Sequence, residues 1–254
     1  MVVAIVTLIT ALFLGGPAQI FYVDNIEKGI KKYVVEKERK KEILSEIKST
    51  KAFYKEFEKE RKKDFKTFPS LYADMNTSTE GLHSFFEELQ GKRTDYQNIL
   101  IEQRLSIFGK LEPEEWDNIL KSSVSVADKN IAKAKKKAAK SKESFRKTKN
   151  RINSDILNKE QKQNLLKGLE AVINSEKELE SQMLSVNSSQ NKILANKDSG
   201  KEELQGLFAE DTRKRAGLLE SLLSFHKLAR ENCSEVEWTQ IMLSFTKEMQ
   251  MSSR

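Results

Sequence analysis

The sequence predicts an all-α fold: an N-terminal transmembrane helix followed by two tandem helical-hairpin repeats with long, coiled-coil-like helices. Three observations carry this. The 254 residues include only 10 Gly and 3 Pro, while 33% are charged and 8% aromatic, a composition that suits long solvated helices. Apolar residues recur at helical spacing through most of the chain. Finally, the stretch from Leu82 to Leu120 is written twice. At an offset of 122 residues Trp116 falls on Trp238, Glu115 on Glu237, Lys92-Arg93 on Lys214-Arg215, Leu82 on Leu204 and Phe86 on Phe208. The same register sets Ile30 on Ile152, Val34-Val35 on Ile156-Leu157 and Ile43-Leu44 on Leu165-Leu166. Both Trp of the chain and a Lys-Arg pair are not periodic features, so the matches indicate a tandem duplication.

The expected organisation is a transmembrane anchor over 1–23, a first helical repeat over 24–128, a basic linker helix over 129–151 and a second repeat over 152–254. Met1 to Val23 has no charged side chain and is long enough to cross a bilayer at about 1.5 Å per residue. A cleaved signal peptide is the competing reading, with Gly16-Pro17-Ala18 at the cleavage site, but no basic segment precedes the apolar core. Lys28, Lys31, Lys32 and Lys37 follow the anchor and no Lys or Arg precedes it, so the positive-inside rule favours a cytoplasmic body. An extracytoplasmic body is the alternative, because large domains translocate largely regardless of charge.

From Asp24 the apolar positions Ile26, Ile30, Tyr33, Ile43, Ile47, Tyr54 and Phe57 predict one helix reaching about Phe68, where Pro69 ends it. The run Glu36 to Glu42 is charged throughout and should pack poorly. Asn76 to Thr79 reads as a turn, and a second helix from about Thr79 to Gly109 folds back antiparallel. Pro113 opens a third helix, with Glu114 and Glu115 at the positive end of its dipole and an apolar face of Trp116, Ile119 and Leu120. Lys129 to Arg151 then carries eleven Lys and Arg against Glu143 alone. Asn153-Ser154-Asp155 interrupts it, and the second copy follows with a turn over Asn196 to Gly200. A capping box of Ser234 and Glu237 opens the last helix. Trp116, Trp238, Glu115 and Glu237 are the expected structural anchors, each Trp packing its short helix on its own hairpin. Trp116→Ala should cost more than Trp238→Ala, because the last helix can fray.

Little in the chain points to catalysis. His83 and His226 fall at non-equivalent positions of the repeat, Cys233 has no second Cys, and no Gly-rich phosphate loop is present. No metal, cofactor or catalytic residue is therefore expected, and the chain is predicted not to be an enzyme. Cys233 replaces Leu111 of the first copy and reads as a small apolar contact. The basic run is a solvated helix first. Its main functional reading is contact of Lys133, Lys135, Lys136, Lys137 and Lys140 with anionic lipid head groups. Nucleic acid is the weaker partner, since Phe145 is the run's single aromatic for stacking. The expected function is a non-catalytic, membrane-anchored scaffold or protein-interaction module, with self-association or a protein partner. The alternative is a membrane-proximal sensor or chaperone-like binder.

The stretch from Arg104 through Leu111, Pro113, Glu114, Glu115 and Trp116 resembles a turn in uncharacterised bacterial proteins that carry an N-terminal membrane segment and helical hairpins. There a Leu-Thr-x-Glu-Glu-Trp-like stretch ends the hairpin, with Thr where this chain has Glu112. The resemblance covers the anchor and one hairpin. It implies an extracytoplasmic body and carries over no activity.

Overall fold

The computed structural model describes residues 21–23, 25–123, 132, 145–184 and 188–251. Nine α-helices are found among them. In chain order they are α1 (Ile26–Tyr33), α2 (Lys37–Ala73), α3 (Thr79–Gly109), α4 (Pro113–Ser122), α5 (Arg146–Asp155), α6 (Lys159–Leu184), α7 (Ser188–Ala195), α8 (Lys201–Asn232) and α9 (Glu235–Met251). The chain is all-α. Among the described residues no helix is long and apolar enough to cross a membrane. Most of the expected anchor over 1–23 lies outside the described residues. Its last residues do not: Phe21 and Val23 are buried in the protein, with the Phe21 and Phe108 rings 6.2 Å apart. They belong to the body because Phe108 and its neighbours give them an apolar surface to pack on.

The first long helix differs from expectation at both ends. A break over Val34 to Glu36 separates α1 from α2, since Glu36 turns its carboxylate to the backbone N–H groups of Glu38 and Arg39 and caps a new helix. Val34 is buried at this break while Val35 is almost fully exposed. Pro69 does not end α2, which continues to Ala73. It lies inside the helix, just before the last turn, and is itself buried. Asn153-Ser154-Asp155 forms the last turn of α5 rather than an interruption, and the break comes at Ile156 to Asn158. Helix α5 therefore crosses the expected boundary at residue 151. Apart from Ala132 and Phe145, the remainder of the basic run, including Lys133, Lys135, Lys136, Lys137 and Lys140, lies outside the described residues.

Helix boundaries recur at the repeat offset. Adding 122 to Lys37, Thr79 and Pro113 gives Lys159, Lys201 and Glu235, the first residues of α6, α8 and α9, and Ala73 gives Ala195, the last of α7. Each half forms an antiparallel hairpin, α2 with α3 and α6 with α8, flanked by a short pair, α1 with α4 and α5 with α9. Close approach within α1 and α4 depends on Gly29, where a Cβ would stand 3.0 Å from Ile119 Cγ1.

The two hairpins lie against each other through α3 and α8. They run antiparallel: Lys201 pairs with Glu102, Gln205 with Asn98 and Gln90 with Thr212. Residues 90 and 212 are the same position of the repeat, so an approximate two-fold axis passes between them. The consequence is that neither half has its own core. One core joins Ile152, Leu165, Leu222, Phe245 and their neighbours to Phe68, Tyr72, Leu82 and Phe86 from the tip of the first hairpin. The other joins Ile30, Ile43, Leu100, Trp116 and their neighbours to Leu204, Leu207 and Phe208 from the tip of the second. Helix α3 is roughly 45 Å long at 1.5 Å per residue, which sets the separation of the two cores.

Exchange of hairpin tips makes the halves interdependent. With a protease site inserted between Asp128 and Lys129, the cut halves are expected to co-elute and to melt cooperatively, whereas either half expressed alone should give a broad, low-temperature melt. Independent folding of the halves, seen by circular dichroism, would contradict the exchanged cores.

Candidate functional site

The last carbonyls of an α-helix have no partner within the helix, and in both hairpins the other half supplies one. Trp116 Nε1 of α4 donates to Ala195 O at the end of α7, at 2.7 Å. Trp238 Nε1 of α9 donates to Ala73 O at the end of α2, also at 2.7 Å. These are equivalent contacts at the 122-residue offset. Each Trp closes the tip of the other hairpin, not its own, because the antiparallel packing of α3 on α8 brings each tip beside the opposite short helix.

Around this shared device the two ends differ chemically. At the first, Arg104 is fully buried, donates through one terminal nitrogen to Leu194 O at 3.0 Å and Asn196 O at 2.9 Å, and lies 4.1 Å from the Phe108 ring. A cation on the negative end of α7 is electrostatically favourable, although burial pulls the guanidinium pKa down to about 10. At the second, the equivalent residue is His226, equally buried, with its ring edge-on to Tyr72 and Trp238 at 5.0 Å from each. Neither ring nitrogen has a hydrogen-bond partner. Burial, with Arg230 nearby, lowers its pKa to about 4. Tyr72 instead carries the polar contact, donating to Leu222 O at 2.7 Å.

The expected anchors Glu115 and Glu237 occupy equivalent positions with unequal partners. Glu115 accepts from Arg39 at 2.5 Å and from the Glu112 backbone N–H at 2.9 Å. Arg39 also pairs with Glu112 at 2.7 Å, so the run Glu36 to Glu42, though mostly exposed, is tied down at this point. Glu237 accepts from the N–H and hydroxyl of Ser234 at 2.8 and 2.7 Å. The position of Arg39 is taken by Gln161 in the second copy.

Two further features have no counterpart in the sequence reading. Glu248 of α9 caps α5, accepting from the N–H groups of Lys147 and Thr148 at 3.0 and 2.9 Å and from the Thr148 hydroxyl at 2.7 Å. Beside this cap runs an open groove edged by Lys147, Arg151 and Lys247, with Leu243 exposed in it. Arg151 stands where the first copy has Gly29. The second feature is a small cavity at the crossing of α3 and α8, lined by Arg61, Lys92, Arg93 and Arg215 together with Asp64 and Glu60. The repeated Lys-Arg pair was visible in the sequence. That its two Arg would meet was not, since this depends on where the axis falls.

Among the described residues no set of three His, Cys, Asp or Glu comes together as a metal site. Burial pushes the Cys233 thiol up to about 12, which leaves it protonated and poorly nucleophilic. No known protein family, no curated protein and no solved structure matches the chain.

The geometry revises the expected ranking of the two Trp. Trp238 lies in the first turn of α9, far from the helix's C-terminal end, and Met249 near that end is fully buried, so fraying does not reach it. Trp116→Ala and Trp238→Ala should destabilise comparably, by ~3–5 kcal/mol each. Trp→Phe at either site should cost ~1–3 kcal/mol for the carbonyl left unpaired. Urea melts of the four variants measure this.

His226 gives a pH dependence. Its folded pKa lies below the unfolded value of about 6.5, so the unfolded chain binds the proton first and acid favours unfolding. Stability from this group is complete above about pH 6.5 and falls as the pH drops toward 4, by up to about 3 kcal/mol. In melts across that window, His226→Phe should show a flatter pH dependence than the wild type.

Proposed function

We propose that the chain is a non-catalytic, membrane-anchored helical scaffold or protein-interaction module, built from two copies of one hairpin unit fused in tandem. The reciprocal closure of the hairpin tips by Trp116 and Trp238 is the observation that carries this reading. Buried polar side chains at both ends, Arg104 and Tyr72 among them, serve helix ends and backbone carbonyls, the use expected of a stiff connector roughly 45 Å long. The apolar segment ahead of Phe21 would anchor it.

Anionic lipid is the proposed second contact. Because the short pairs lie at opposite ends of the hairpins, the residues from Ser123 to Phe145 join one end of the body to the other. Lipid contact by Lys133, Lys135, Lys136, Lys137 and Lys140 therefore calls for a body lying along the bilayer, with the groove of Lys147, Arg151 and Lys247 at its far end. Head-group attraction of this kind is screened by salt.

The full chain should sediment with membranes and be released by detergent but not by high salt. A chain beginning at Phe21 should bind anionic vesicles at low salt, release them as salt rises, and ignore neutral vesicles. Substituting the five linker Lys by Gln should abolish that binding. Equal binding to neutral vesicles, or no effect of the substitutions, would remove the lipid contact. Cross-linking of full-length protein in intact cells tests the scaffold itself. Adducts with other proteins or with a second copy are expected, and recovery of uncross-linked monomer alone would contradict the reading.

A further inference from the structure

We propose that the cavity at the crossing of α3 and α8 binds a compact oxyanion of the phosphate or sulfate class. At an approximate two-fold axis each residue meets its own copy, and here Arg93 and Arg215 of the repeated Lys-Arg pair each lie three residues past the axis positions Gln90 and Thr212. Two guanidinium groups are thereby buried together, Arg93 at 7% exposure and Arg215 at 2%. Arg93 is near enough to oppose the charge on Arg215, and burial lowers the pKa of both. Asp211 is the carboxylate that acts on each of them.

The other charges at the cavity are largely matched. Lys92 pairs with Asp64 at 3.2 Å and with Glu88 at 2.7 Å, and Arg61 lies 3.5 Å from Glu58. Glu60 lines the rim and is exposed. Asp211 offsets part of the buried charge, but none of the three side-chain nitrogens of Arg93 has a hydrogen-bond partner. Buried guanidinium groups are stable when an acceptor matches both their charge and their forked geometry, which an oxyanion does. Water would meet the N–H groups without the charge. The cavity measures about 40 Å³, more than the ~10–15 Å³ one water needs and far below the ~300–1,000 Å³ of nucleotide-sized or drug-sized sites. Lys92, which also lines the cavity, has 41% of its side chain exposed.

The inference is independent of the scaffold reading, and the test uses the full chain in detergent with inorganic phosphate as the probe. Equilibrium dialysis at constant ionic strength should show one saturable phosphate per chain, displaced by sulfate and poorly by acetate. Thermal melts should rise with phosphate and level off. Arg93→Met should melt at or above the wild type without phosphate, because a buried charge is gone, and should show neither binding nor the rise. Arg93→Lys, which keeps the charge without the fork, should bind several-fold more weakly. Arg151→Gln in the α5–α9 groove should bind like the wild type. Absence of saturable binding, undiminished binding by Arg93→Lys, or loss through Arg151→Gln would overturn the proposal.

Discussion

Everything in this fold depends on how two hairpin tips are closed. A helical hairpin buries its apolar face along its length, but at its tip one helix ends with carbonyls that need donors and with side chains such as Phe68 or Leu204 that need cover. Here the cover comes from the opposite half. The Trp that donates to the helix-end carbonyl at the partner hairpin's tip also fills the core beneath it, so one side chain meets a polar and an apolar requirement together. Removing either half would expose both a tip and a base.

Once the tips are exchanged, the two ends are free to diverge around the same Trp. Arg104 at one end is a cation placed on helix-end carbonyls, whereas His226 at the other is a neutral aromatic edge among Tyr72 and Trp238. The difference follows from what each has to satisfy. At the second end Tyr72 provides the backbone contact, and Leu194 stands in its place at the first. The pair α5 and α9 has likewise departed from α1 and α4, with Arg151 in place of Gly29 and a groove where the first copy is tightly packed.

Duplication also has an electrostatic consequence at the axis. Any charged residue placed there meets a like charge from the other copy, and burial strengthens the repulsion because little solvent screens it. Arg93 and Arg215 show this. The second copy places Asp211 where the first has Leu89, which supplies a carboxylate acting on both.

The sequence by itself determined the helical class, the repeat and several helix ends, since these follow from local periodicity and from cap residues such as Ser78 and Ser234 that act within a turn or two. The span Thr79 to Gly109 was legible for that reason, and so was burial of Trp116 and Trp238. Two local signals were read wrongly: Pro69 sits inside α2 instead of ending it, and Glu36 caps a new helix within what reads as a continuous one. Only the tertiary structure decided which hairpin each Trp closes. A duplicated sequence is equally consistent with two separate units and with two exchanged ones, because the same residues are apolar in either case. Choosing between them requires the antiparallel crossing of α3 and α8, and with it the meeting of Arg93 and Arg215, which no spacing along the chain encodes.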